Sequence, residues 1–251
     1  MIAFARRTII ILSAFFPLVG FAQETVKKTS RSDGNKEVYY VLKSDKNIKQ
    51  GSYQKFNSFD NLIAEGNYKD GLKDSLWTEY WAAPVLKSKG NYLGSERTGI
   101  WEFYNRKGEL EQRYDFTKKQ IVFDQTIEPN KEKKYKVVKG IDTIETTLQQ
   151  PPLYIGGRTK MQNVMTKGMN IPKEAIMNHI SGEVQVSFII DQNGIAGNYK
   201  VVRGIGFGCD EEALRMAKQI PNNWSPGKLN NEPVTVEYIL TIGFKNFFPG
   251  N

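Results

Sequence analysis

The sequence predicts an α+β protein: an all-β region of repeated hairpins, followed by a three-stranded antiparallel sheet that carries two helices. Three observations predict it. An aromatic pattern recurs every 24 residues between positions 50 and 104. Apolar–polar alternation runs from Val184 to Ile190 and again from Val234 to Phe244. Before the first of these runs, and between the two, apolar residues fall at helical spacing.

The repeat aligns QGSYQKF (Gln50–Phe56), DSLWTEY (Asp74–Tyr80) and TGIWEFY (Thr98–Tyr104). Tyr53, Trp77 and Trp101 are equivalent, as are Phe56, Tyr80 and Tyr104. EGNYKDG (Glu65–Gly71) and KGNYLGS (Lys89–Ser95) lie between them, so Gly66, Asn67 and Tyr68 match Gly90, Asn91 and Tyr92. Short aromatic-bearing runs separated by Gly, Asp, Asn and Ser read as β-hairpins. One hairpin cannot bury its aromatic face alone, so neighbours must stack. The expectation is an antiparallel sheet over 46–116 with the aromatics as its core; a ligand-binding aromatic stripe is the alternative. Residues 23–45 are polar and expected to be flexible. Residues 117–150 carry weak strand signals and are taken as a linker. The two prolines of QQPPLYIGG (Gln149–Gly157) impose an extended boundary.

The second domain is placed at 151–246, with a tail at 247–251. Met161, Val164 and Met165 share a helix face, and Gly168 offers a stop. Pro172 opens a second helical turn. In GEVQVSFIIDQNG, Val184, Val186, Phe188 and Ile190 face one way and Glu183, Gln185 and Ser187 the other. Asn193-Gly194 is a hairpin turn into a strand over 198–202. A helix from about 211 to 219 places Ala213, Leu214, Ala217 and Ile220 on one face and stops at Pro221. In the last strand, Val234, Val236, Tyr238, Leu240, Ile242 and Phe244 form the inner face.

The loop RGIGFGCDEE holds three glycines, the chain's single cysteine and three acids. It is not a dinucleotide fingerprint, which needs G-x-G-x-x-G after a parallel strand. Acids at a helix start also repel a phosphate and are expected from the helix dipole alone. Gly208, Cys209 and Asp210 are therefore read as structural: a glycine exit from the strand, a buried thiol and a helix cap. Trp224, Pro226 and Gly227 of NNWSPGK are read as structural too. One His and one Cys make an all-protein metal site improbable and leave no nucleophile–base pair, so neither catalytic residues nor a cofactor are expected. The formal net charge is +8, but the lysines are scattered among acids, and no nucleic-acid partner is expected.

At the N-terminus, Arg6 and Arg7 precede an apolar run that ends in Gly20-Phe21-Ala22. This is the pattern of a cleaved secretory signal peptide over 1–22. The run from Thr8 to Ala22 would span about 22 Å as a helix, short of a hydrocarbon core of about 30 Å, and contains Pro17. The periplasm is the expected location. An uncleaved inner-membrane anchor facing the periplasm is the alternative.

Two resemblances follow from these residues. EGNYKDGLKDSLWTEYW and KGNYLGSERTGIWEFYNRKGEL resemble MORN-type repeats, with Ser75 and Ser95 where the pattern prefers glycine. Such repeats serve interactions in many proteins and do not identify a function. Residues 151–246 resemble the C-terminal domain of TonB in its Bacteroidota form, through PPLYIGG, GEVQVSFIIDQNG, GCDEEALRMAKQIPNNWSPGK and NEPVTVEYILTIGFK. An extra Asn before Trp224 and Ile171 before Pro172 depart from the family pattern. The resemblance implies binding of an extended segment of a TonB-dependent outer-membrane receptor by strand addition. It assigns that contact to Val234, Thr235, Val236, Glu237, Tyr238, Ile239, Leu240 and Thr241. A homodimer mate or the linker could cover this strand instead. Energy transducers of the family also carry an uncleaved membrane helix for inner-membrane motor partners and a long Pro-rich spacer. This chain has a short apolar run and repeats in their place, so a periplasmic adaptor is expected. The competing expectation is an interaction scaffold that binds through its repeats and dimerises through the second domain.

Overall fold

The computed structural model describes residues 23–127 and 133–244, and the expected signal peptide and the tail at 247–251 lie outside them. Nine strands make one antiparallel meander: β1 (Thr25–Ser32), β2 (Asn35–Leu42), β3 (Lys49–Phe56), β4 (Leu62–Lys69), β5 (Leu72–Ala82), β6 (Val85–Leu93), β7 (Glu96–Tyr104), β8 (Leu110–Asp115) and β9 (Gln120–Asp124). Each strand pairs with the next in sequence.

The spacing of 24 has a local physical cause. The indole of Trp77 lies over Gly66, where a Cβ would stand 2.3 Å from the ring, and that of Trp101 lies over Gly90, where a Cβ would stand 2.4 Å away. Only glycine leaves room for the ring. Each indole N–H donates to the backbone carbonyl of the following residue, Trp77 to Asn67 and Trp101 to Asn91, both at 3.0 Å. Tyr68 and Tyr92 then meet the indoles edge to face, with centroids 5.3 and 5.0 Å apart. G-N-Y and W are thus one interlocking unit, and successive units join through Tyr53–Tyr68 and Trp77–Tyr92 contacts. Tyr53, Trp77 and Trp101 are buried, as a core requires and an open ligand stripe does not.

The same period recurs in the backbone. Gly51, Ser75 and Gly99 share a left-handed φ of 90°, 57° and 60°. Serine tolerates that region poorly. Ser75→Gly is therefore expected to leave stability unchanged or raise it by up to about 1 kcal/mol, whereas Gly99→Ser should lower it by about as much, read by urea denaturation.

The sheet is longer than the sequence pattern implied. Residues 23–45, expected to be flexible, form β1 and β2 around an Asp33-Gly34 turn with φ of 50° and 73°. β1 is charged and mostly exposed, which suits an edge strand and conceals it from a search for alternation. The expected linker at 117–150 contributes β9, and its far part forms a second hairpin.

That hairpin, β10 (Lys134–Lys139) and β11 (Asp142–Thr147), belongs to the second unit. β12 (Leu153–Tyr154), α1 (Gly157–Thr166), α2 (Lys173–Met177), β13 (Gly182–Ile190), β14 (Ala196–Arg203), α3 (Cys209–Lys218), β15 (Trp224–Ser225), β16 (Gly227–Leu229) and β17 (Glu232–Phe244) follow. The sheet order is β11-β10-β17-β13-β14, with β16 also on β17. The three expected strands are β14, β13 and β17; the expected three-stranded sheet is enlarged because the linker hairpin and β16 add to β17. Val184, Val186, Phe188 and Ile190 meet Leu240, Ile242 and Phe244 in a core closed by Met161, Met165, Ala213, Met216 and Ala217.

The PPLYIGG boundary is a joint. Ile155 inserts into the aromatic core of the repeat sheet beside Trp101, Phe103 and Tyr114. Buried Gln112 on β8 donates to the Asp124 carboxylate at 2.7 Å and the Tyr154 carbonyl at 3.0 Å, and accepts from the Gly156 amide at 2.7 Å. Glu111, beside it, accepts from the Thr159 amide at 3.0 Å. It thereby serves the N-terminus of α1, which has no side-chain cap of its own. Burial raises the pKa of Glu111, and its hydrogen bonds from Thr159 offset part of that rise.

Candidate functional site

β17 is the central strand of the second unit, and its two edges are unequally covered. Against β13 it makes nine consecutive pairs, from Gly182↔Phe244 to Ile190↔Val236. On the opposite edge, β10 pairs Lys136, Val137 and Val138 with Glu237, Val236 and Thr235. β16 pairs with Glu232 to Val234. Among the described residues, nothing pairs with the outer edge of residues 238–244.

The eight residues expected to take up a partner are therefore divided. Val234 is engaged by β16, and Thr235, Val236 and Glu237 by β10; Tyr238, Ile239, Leu240 and Thr241 keep a free edge. Of the two covers open to this strand from sequence, the chain's own linker supplies one. Glu237 pins the division. Ser187 on β13 donates a hydrogen bond to it, and Lys136 on β10 and Lys200 on β14 approach within 3.5 and 3.6 Å. The Ser187 hydrogen bond and these cations hold its carboxyl below the usual range despite partial burial.

Beside the free edge runs a groove. A cavity of about 390 Å³ is lined by Tyr238, Ile239, Leu240 and Thr241, with Tyr135, Arg158 and Met161 opposite. Four consecutive residues of one strand can line a cavity only along its edge, because their side chains alternate between faces. An adjoining cavity of about 530 Å³ continues past Thr241, Ile242 and Gly243 to the turn at Asn105, Arg106 and Lys107. Both cavities share Gln162, Met165 and Thr241, so α1 forms one wall throughout. Lys133, Arg158, Arg106 and Lys107 make the lining basic. Its one acid, Asp124, is occupied by Gln112 and Thr126. Seven free positions, 238–244, span about 23 Å of extended chain.

The residues read as structural from sequence frame this strand. Trp224 packs among Tyr154, Phe188 and Tyr238, edge-on to the first and tilted to the other two, with centroids 5.1–5.7 Å apart. Its buried indole N–H has no acceptor among the described residues. The Pro226 carbonyl accepts from Gln150 at 3.2 Å. Gly227 is required because a Cβ there would stand 2.7 Å from Val236. Cys209 is fully buried, and burial together with the Asp210 and Glu211 charges raises its pKa.

Asp210 departs from expectation. The N-cap of α3 is Gly208 in the left-handed region (φ 78°), with no side-chain cap. Asp210 instead turns back to accept from the amides of Ile205 at 2.8 Å and Gly206 at 3.2 Å. Gly204 makes this possible, since a Cβ there would stand 2.1 Å from the carboxylate. The glycine-rich stretch is thus a loop closed on its own aspartate.

Sequence reasoning missed the contribution of α1 and of β10 to this site. The helical spacing of Met161, Val164 and Met165 located α1 but not its neighbour. Among the described residues no group of His, Cys, Asp and Glu could hold a metal, and no helix is long and apolar enough to cross a membrane.

Compared with known proteins, the chain matches no curated protein and no solved structure. Residues 168–246, which begin just after α1 and take in α2 through β17, match the family model described as Gram-negative bacterial TonB protein C-terminal, and this part of the chain is similar to that domain.

Proposed function

We propose that the second unit captures an extended segment of an outer-membrane transporter in the periplasm, in support of energy-coupled transport. The segment adds as a strand to the outer edge of β17 from Tyr238 onward. The observation that carries this reading is the break in pairing at Glu237: the pairs with β10 stop there, and a groove opens along the same edge. An unpaired edge offers amides and carbonyls that a peptide completes, while side-chain pockets set specificity. The basic lining favours segments with acidic residues. Similarity of residues 168–246 to the TonB C-terminal domain supports the same partner class. The burial of the aromatic core counts against a reading in which the repeat rings bind the partner.

The test uses the full chain and a synthetic peptide of a transporter's periplasmic segment, by fluorescence anisotropy. Saturable binding is expected. N-methylation of the peptide at alternate residues, which deletes main-chain donors and leaves its side chains in place, should weaken binding by at least about tenfold. Ile239→Pro should weaken it equally, with circular dichroism reporting the fold. Equal binding by the methylated peptide would rule out strand addition.

A further inference from the structure

We infer that the wedge between the repeat sheet and α1 is a binding site for a small organic anion, a carboxylate or sulfonate carried on an aromatic or short apolar body. The wedge is a cavity of about 270 Å³ on the side of α1 away from most of the β17 groove. β5 contributes Glu79 and Trp81, β6 Lys87, β7 Arg97, and the α1 segment Lys160 and Lys167. Four cations thus face one acid.

That acid is already occupied. Glu79 pairs with Lys87 at 3.4 Å and accepts from Ser88 at 3.2 Å. Arg97 lies 4.3 Å over the Trp101 ring and reaches the Tyr92 hydroxyl at 3.4 Å. Lys160 is different. Its ammonium stands 5.9 Å from the Phe103 and Tyr154 ring centres and makes no ion pair among the described residues. Burial lowers its pKa to about 8, and Arg97 and Lys87 push the same way against partial relief from Glu79. A half-buried ammonium facing other cations costs free energy until a counter-charge arrives.

The surroundings are shaped to hold that lysine. Gly156 carries no side chain where the Lys160 stem runs, and a Cβ there would stand 2.4 Å from Cδ. Trp81 and Phe103 supply flat apolar walls. The Trp81 ring is fixed by its N–H donating to the Asn105 carbonyl at 3.0 Å. The volume, about 270 Å³, falls just below the usual ligand range of about 300–1,000 Å³, which limits the occupant to one or two rings. Convergent cations on an apolar cleft select an anion with a planar body over inorganic phosphate or a neutral ring.

Titration calorimetry on the full chain at low salt, with 2-naphthoate as probe, tests this. One saturable site is expected, with 2-naphthalenemethanol weaker by about tenfold or more, because it lacks the charge that Lys160 meets. Lys160→Met should weaken 2-naphthoate by about tenfold or more, while Lys160→Arg keeps affinity within about threefold. The melting temperature of Lys160→Met should hold or rise, since an unpaired charge is removed. Binding should also fall as pH rises through the deprotonation of Lys160, with Arg97, Lys87, Lys167, Glu79, Tyr104 and Tyr154 as the other charged or titratable groups around it. Should Lys160→Met fail to fold, Lys160→Gln, which keeps a polar head at the half-buried position, gives the same comparison. Absence of saturable binding, equal binding of acid and alcohol, or unchanged binding by the folded lysine variant would overturn the site.

Discussion

Trp101→Ala is expected to destabilise the protein by about 3–5 kcal/mol, enough to unfold the repeat sheet in mild denaturant. The ring is fully buried, and the substitution removes several contacts at once. Tyr92 loses its edge-to-face partner at 5.0 Å, Phe116 its partner at 6.1 Å, and Arg97 the ring beneath its guanidinium. The Asn91 carbonyl loses its indole donor. Gly90 then borders a void that its missing side chain cannot fill. Trp101→Phe separates the terms: it keeps a ring but leaves the carbonyl without its donor, for about 1–3 kcal/mol. Urea titration followed by far-UV circular dichroism measures both. A loss below about 1 kcal/mol for Trp101→Ala would mean that the interlock of Gly, Asn and Trp does not hold the sheet together.

Val137→Asp is expected to release the β10–β11 hairpin from β17 while the remaining core persists. Val137 is fully buried opposite Val236, which is fully buried too. An unpaired carboxylate there costs about 3 kcal/mol or more, and the hairpin holds β17 through only three pairs. Hydrogen exchange should lose protection at residues 136–138 and on the outer side of 235–237, while 182–190 stay protected through β13. Peptide capture should extend in the same variant: a transporter segment long enough to reach Thr235 should bind more tightly than one ending opposite Tyr238. Protection retained at 136–138 would show that the hairpin is held by more than this register. Loss of protection at 182–190 would make it an integral part of the core.

Sequence revealed what repeats or alternates. The 24-residue period named Tyr53, Trp77 and Trp101 because each unit solves the same packing problem with the same residues. The alternation at Val184–Ile190 named one buried face because β13 turns polar Glu183, Gln185 and Ser187 away from the apolar core. β1 stayed hidden, since a charged edge strand pairs through its backbone and leaves no apolar signature. β10 and β11 stayed hidden for a related reason: β11 is mostly exposed, and of β10 only Val137 is deeply buried. The joint was illegible because Gln112, Glu111 and Thr159 are ordinary polar residues whose partners across it lie more than 40 positions away. The edge itself was legible through resemblance, but where it stops being free depends on β10 and so could not be located.

The unequal covering of β17 has a mechanical consequence. Tension applied along β17 loads its nine pairs with β13 side by side, so they must fail together, and no register shift interrupts them. The three pairs with β10 form a much shorter seam and yield first. Forced separation is governed by the barrier to the first rupture. A strand gripped beyond Tyr238 would therefore pull on the deepest-anchored stretch of the molecule, with the hairpin behind it as the weak link that gives way before the core.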